Sequence, residues 1–212
     1  MRIFHLGDSA ATVEFGNELS LELNARSIAL ATSLSDQPFP GMIEAAPAYA
    51  SVTVFYDRST RFDSVKRELE QRVLATSVSE NAKANLIEIP IVVSDEFAPD
   101  LDRVANFAEL SSHETLDTFL SRTYRVYMLG FLPGFAYMGE VDDKIAAPRL
   151  ETPRTKVAKG SIGIAGRQTG IYPLESPGGW NIIGRTDLQM FDPASDHPCL
   201  LKPGDEVRFL RC

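Results

Sequence analysis

The chain has 212 residues and a net charge of −8, with 44% hydrophobic and 24% charged residues, an ordinary globular make-up for one large domain or two small ones. The acidic balance excludes a chain-wide basic footprint for nucleic acid. The start, MRIFHLGDSA, has no long apolar run behind Arg2 and so no secretory signal is expected; runs such as IPIVV at 89–93 are too short to cross a bilayer; and Cys199 and Cys212 make no disulfide framework and suit a reduced, cytoplasmic chain.

Taken in chain order, residues 1–93 alternate strand and helix. Val13 and Phe15 flank Glu14, Val52, Val54 and Tyr56 alternate with polar neighbours, and Ile87, Ile89 and Ile91 do so again. Between these runs, Leu21, Ala25, Ile28 and Ala29 fall on one helical face, as do Phe62, Val65, Leu69 and Val73. The order strand, strand, helix, strand, strand, helix, strand predicts a ferredoxin-like α/β sandwich with an extra N-terminal strand. Pro47 places a bend or a sheet edge in the third apolar stretch.

Residues 94–123 read as a helical connection. Pro99 suits a first helical position ahead of Leu101, Val104, Ala105 and Ala108. A second helix starts at Ser111, which forms a capping box with Glu114. His113-Glu114 is half of a zinc-protease motif, but position 117 is Asp117 rather than the second histidine. From Tyr124 onward, short β-type runs (YRVYML, SIGIAG, WNIIG, EVRFL) are cut by Gly and Pro, predicting a small β-barrel or sandwich over 124–212. The fold class is α+β.

Chemistry is first bounded by absences. His5, His113 and His197 are scattered, so no metal site is read, and Gly160-x-x-Gly163-x-x-Gly166 lacks the Lys-Ser/Thr of a phosphate loop. No Gly-x-Ser-x-Gly elbow occurs, and no catalytic residue is assigned. Residues 149–185, by contrast, carry a local balance of +4, from Arg149, Arg154, Lys156, Lys159, Arg167 and Arg185 against Glu151 and Glu175. Such an island is either a site for a small anion or a solvated face that evens out on folding.

The segment GFLPGFAYMG (130–139) holds three glycines, a proline and three aromatics without a charge. It has the composition of a cleft lining or an interface core. Gln168, Tyr172, Trp180 and Asn181 sit among further Gly and Pro turns, and Arg149 and Arg154 each follow a proline, as suits fixed, bidentate anion binding. Each glycine alone is better read as a tight hairpin, and Trp180 equally well as a core plug.

GFLPGFAYMG, the two Pro-Arg pairs, GSIGIAGRQTGIYPLESPGGWNIIGRT (160–186) and LLKPGDEVRF (200–209) together closely resemble the allophanate hydrolase subunit 1 family, of the carboxyltransferase subdomain C-D type. That family includes the B subunit of prokaryotic 5-oxoprolinase and the histidine-kinase inhibitor KipI. The resemblance implies a ferredoxin-like N-terminal domain and a cyclophilin-like C-terminal β-barrel. It also implies a non-autonomous cytoplasmic subunit of an amide-ring hydrolase. Its partners would be a second carboxyltransferase-like subunit (the C-type subunit of 5-oxoprolinase) and a third, A-type subunit, with ATP used at the level of the complex and bound by no motif in this chain. The alternatives are a KipI-like regulator of a sensor kinase and a component of a urea or allophanate pathway. Val157-Ala158-Lys159-Gly160-Ser161 departs from the family's usual Val-Pro-Ala-Gly-Ser, and Arg167 stands where Asn or Gly is common. On this reading a cleft shared with the partner is lined by Phe131, Pro133, Gly134, Phe135, Tyr137, Arg149, Arg154, Gln168, Tyr172, Gly178, Gly179, Trp180 and Arg185, with no metal, and its aromatics are partly exposed in the isolated chain.

Overall fold

A computed structural model describes residues 1–77 and 84–212, which divide into two compact units, Met1–Lys83 and Ala84–Cys212. In the first, alternation places Ala11, Val13, Val52, Val54 and Tyr56 on one buried face of a sheet. Its strands are β1 (Arg2–His5), β2 (Ala10–Glu14), β3 (Met42–Pro47) and β4 (Ser51–Tyr56), all antiparallel in the order β1-β2-β4-β3. Pro47 ends the edge strand β3, where a missing N–H costs no ladder bond. Helices α1 (Leu21–Asp36) and α2 (Phe62–Ala75) complete the unit. In α2 the expected face is the buried one, through Val65 and Leu69 with Phe62 and Val73 packed beside them.

Helix α1 turns a different face inward from the one its periodicity suggests. It buries Asn24, Ser27, Leu30, Ala31 and Leu34, while Leu21 is exposed. The cause is polar: Asn24 Nδ2 donates to the carbonyls of Ala48 and Tyr49, which pins the turn between β3 and β4, and Ser27 Oγ donates to Leu23 O. A buried amide satisfied in this way outweighs the pull of Leu21.

The second unit closes a seven-stranded sheet. Its strands are β5 (Leu86–Ile91), β6 (Thr123–Leu129), β7 (Ala136–Gly139), β9 (Ser161–Ala165), β10 (Gln168–Ile171), β12 (Asn181–Arg185) and β13 (Glu206–Arg211), in the order β12-β9-β10-β7-β6-β13-β5. The ends meet through one bridge, in which Val92 N donates to Arg185 O at 2.8 Å and Arg185 N to Val92 O at 3.0 Å. β8 (Arg154–Val157) and β11 (Ser176–Gly178) pair separately as a two-stranded ribbon. The chain is an α+β protein with a barrel.

Three expectations are corrected here. The boundary lies at 83/84 rather than 93, because β5 runs parallel to β13 over Leu86–Ile91 and Ile89 and Ile91 point into the barrel core. The place that a fourth ferredoxin-like strand would take beside β2 is held by β1. Residues 94–123 are not a connection but part of the barrel unit. Leu101, Val104 and Phe119, on α3 (Leu101–Ala108) and α4 (Ser112–Leu120), are buried with Tyr124 and Phe209 in the same core. The capping box of Ser111 and Glu114 is formed, and α3 begins two residues after Pro99 with Asp100 at its N-cap. Among the described residues no helix is long and apolar enough to cross a membrane.

Barrel closure leaves no room for a side chain at Gly184, where a Cβ would stand 2.5 Å from Ile91 Cδ1. Gly184→Val should therefore lower stability by about 1–3 kcal/mol, as overpacking does. If β5 seals the barrel, Gly184→Val and Ile91→Ala should be less damaging together than the sum of the two, by at least about 0.5 kcal/mol in a denaturant double-mutant cycle. Simple additivity would place β5 elsewhere.

Candidate functional site

Because side chains alternate across a strand, the barrel wall presents a second face. Ala136, Met138, Ile162, Ile164, Ile171 and Ile183 point into the barrel core. Phe135, Ala165 and Ile182 point the other way, where they form a separate cluster with Val157, Tyr172 and Trp180. This outer face is roofed by the β8–β11 ribbon and by a loop joined to it, in which Leu150 N donates to Gly179 O at 2.8 Å.

Phe135 is the hub of that layer. Its ring makes edge contacts with Phe131, Tyr137, Tyr172 and Trp180 at centroid distances of 5.6, 4.9, 5.3 and 5.5 Å. Its outer ring atoms reach β10 only because Gly170 has no side chain; a Cβ there would stand 2.8 Å from Phe135 Cζ. The turn that delivers it follows from Pro133-Gly134. Pro133 precedes Gly134 at φ +81°, and Phe135 N donates to Leu132 O at 3.0 Å, the bond and residue order of a type II turn. Phe131, just before it, has φ +68° and is 59% exposed. A bulky residue held in the left-handed region at a loop tip is strained, and such strain gathers at functional surfaces.

The expected cleft is therefore corrected. Phe135 and Tyr172 are 1% exposed and Trp180 is 5% exposed, so these rings are core. Gly178 packs on the Tyr172 phenol, whose acidity burial reduces, and Gly134 is buried. What reaches solvent is the rim: Phe131 and Pro133, part of Tyr137, and Arg149, whose guanidinium lies 5.7 Å over the Trp180 ring. Gln168 opens β10 opposite Gly139 and is half-buried, and Gly179 is half-buried in the roof.

Arg154 and Arg185 are brought together elsewhere, in a pocket of about 200 Å³ whose lining also includes Phe97, Lys156, Ser161 and Ile182. Arg149 does not line it. Its keystone is Asp100, a residue with no motif to announce it. Asp100 is 5% exposed, accepts from Ile182 N through Oδ2 at 2.7 Å and from Arg154 Nη2 through Oδ1 at 2.7 Å, and donates its own N–H to Ile182 O at 3.0 Å. The carboxylate is thus spent on β12 and Arg154 rather than on capping α3, where it makes no side-chain bond. Arg185 is steered by Phe97, its guanidinium 5.1 Å above that ring. Asn181, fully buried, ties the wall together by donating to Pro148 O and Ile164 O while accepting from Arg103.

Residues 1–201 match the family described as carboxyltransferase domain, subdomain C and D. The chain belongs to this family. It is 43% identical to the B subunit of 5-oxoprolinase from Bacillus subtilis over 99% of this chain and 92% of that protein. It is 39% identical to the B subunit of 5-oxoprolinase from Escherichia coli O157:H7 over 99% of this chain and 95% of that protein. A solved structure titled TTHA0988 is 38% identical with a TM-score of 0.85, over 96% of this chain, and this chain spans only 40% of that one.

In this family member the aromatic layer is structural, which makes a sharp contrast testable. Phe135→Ala should cost roughly 3–5 kcal/mol, in line with large core truncations. Phe131→Gly should leave the denaturation midpoint unchanged or raise it, since glycine removes a left-handed strain of roughly 1–2 kcal/mol per residue. Equal losses at the two positions would mean that Phe131 is core as well.

Proposed function

We propose that the chain is the B subunit of an ATP-dependent 5-oxoprolinase, which converts 5-oxo-L-proline, ATP and water to L-glutamate, ADP and phosphate. The observation that carries the reading is near-complete, end-to-end likeness to a protein of that name, at 43% identity over 99% of this chain. The site supports a shared rather than an autonomous role: it offers cations, aromatics and a pocket, and among the described residues no cluster of His, Cys, Asp or Glu suited to a metal ion. The partners are a second carboxyltransferase-like subunit and a third subunit, all cytoplasmic. The strained Phe131, with Pro133, Tyr137 and Arg149, forms the edge that meets a partner, and Arg154 and Arg185 hold an anionic group of substrate or intermediate. ATP is used at the level of the complex; this pocket of about 200 Å³, whose arginines stand beside Asp100 and Asp187, does not suit a triphosphate.

The purified chain alone should show no 5-oxoproline-dependent ATP hydrolysis, and turnover to glutamate should appear when both partner subunits are added. In that mixture Phe131→Gly should lower activity on the order of tenfold, as loss of an interface anchor does. Robust turnover by this chain alone would refute the shared site. Failure to join a carboxyltransferase-like partner, together with inhibition of a sensor kinase, would replace the reading with a regulatory one.

A further inference from the structure

We propose that the pocket of Arg154, Lys156 and Arg185 is a site for a small molecule bearing a single carboxylate, with its apolar body against Phe97 and Ile182. This names the ligand class of the pocket and, as a substrate or product site of the complex, rests on the functional reading above.

Donors come first. Arg154 gives Nη2 to Asp100, which leaves Nη1 buried without a partner. Arg185 Nε is likewise buried and unpartnered; the nearest acid, Asp187, stands at 3.8 Å, too far for a hydrogen bond. Two buried guanidinium nitrogens without partners, on two residues that line one pocket, are a costly arrangement unless something accepts from them. Both side chains remain about one-third exposed, at 33% and 36%, so a slight turn of either planar group presents its nitrogen to a bound oxygen. Two guanidinium planes, one at the start of β8 and one at the end of β12, suit the two oxygens of one carboxylate.

Charge then limits the anion. Asp100 offsets Arg154, Glu175 pairs with Lys156 at 2.9 Å, Asp187 stands beside Arg185, and Glu96 lies on the pocket lining. Three cations against four acids leave no net positive charge to attract a phosphate dianion, so a singly charged carboxylate, held by the two unpartnered guanidinium nitrogens, is the better fit. Size limits the body: about 200 Å³ is below the roughly 300–1,000 Å³ of drug-sized sites. The remaining wall, formed by Phe97, Pro99, Val157 and Ile182, is apolar and asks for a compact, weakly polar framework.

Calorimetric titration of the full chain with 5-oxo-L-proline, propionate, inorganic phosphate and ATP at neutral pH tests this. At least one of the two monocarboxylates should bind, with phosphate and ATP weaker. Arg185→Gln should weaken the binding about tenfold or more, as loss of a charge-assisted bond does, while Arg185→Lys retains part of it and the exposed Arg208→Gln changes nothing. Circular dichroism confirms that each variant is folded. If propionate binds and 5-oxoproline does not, the carboxylate site stands and 5-oxoproline is removed as its occupant. If neither carboxylate binds up to about 10 mM, if phosphate binds tightest, or if Arg185→Gln has no effect, the inference is overturned. Turnover by the reconstituted complex in that case leaves the functional reading intact.

Discussion

One carboxylate holds the working part of the barrel unit together. Asp100 precedes α3, and its two oxygens reach the backbone of β12 and the guanidinium of Arg154. An acid that is 5% exposed is tolerated only when paired and hydrogen-bonded, and Asp100 is both. The bond to Ile182 N fixes the strand whose next residues carry the barrel closure and Arg185; the bond to Arg154 fixes the start of the ribbon that roofs the aromatic layer. Remove this contact and the pocket loses a wall and the roof loses its anchor.

The barrel wall is used on both faces. Its inner face is a conventional aliphatic core, whereas the outer face is aromatic and is covered by a two-stranded ribbon instead of solvent. This explains the make-up of GFLPGFAYMG: Pro133 and Gly134 make a turn, Phe135 enters the outer core, Phe131 is left outside, and Ala136–Gly139 continues as β7. Buried rings with an exposed, strained aromatic and a cation at the rim form a rigid platform. A rigid platform suits a chain whose chemistry is completed by others, because little ordering remains to be done on assembly.

Much of this was legible in the sequence. Alternation around Val52 and Ile89 and the capping box at Ser111 announced elements that formed where expected, and the texture change at Tyr124 announced a barrel. What periodicity did not carry was the partner of each element. Ile87, Ile89 and Ile91 read as a strand, but nothing local says that this strand runs beside β13, more than a hundred residues away. The basic island was visible as composition, yet its division between Arg149 over Trp180 and Arg154 with Arg185 depends on Asp100, which reads only as an acid after a proline. Burial of Phe135 rather than its exposure follows from Gly170, whose missing side chain matters only once the strands are paired.

The most direct test of this account is a double-mutant cycle on stability between Asp100→Asn and Arg154→Met. A coupling energy of at least about 1 kcal/mol is expected, with Asp100→Asn the more damaging single change because it also weakens the bond to Ile182 N. Additivity within about 0.5 kcal/mol would contradict it, since the two side chains would then stand next to each other without holding anything in common.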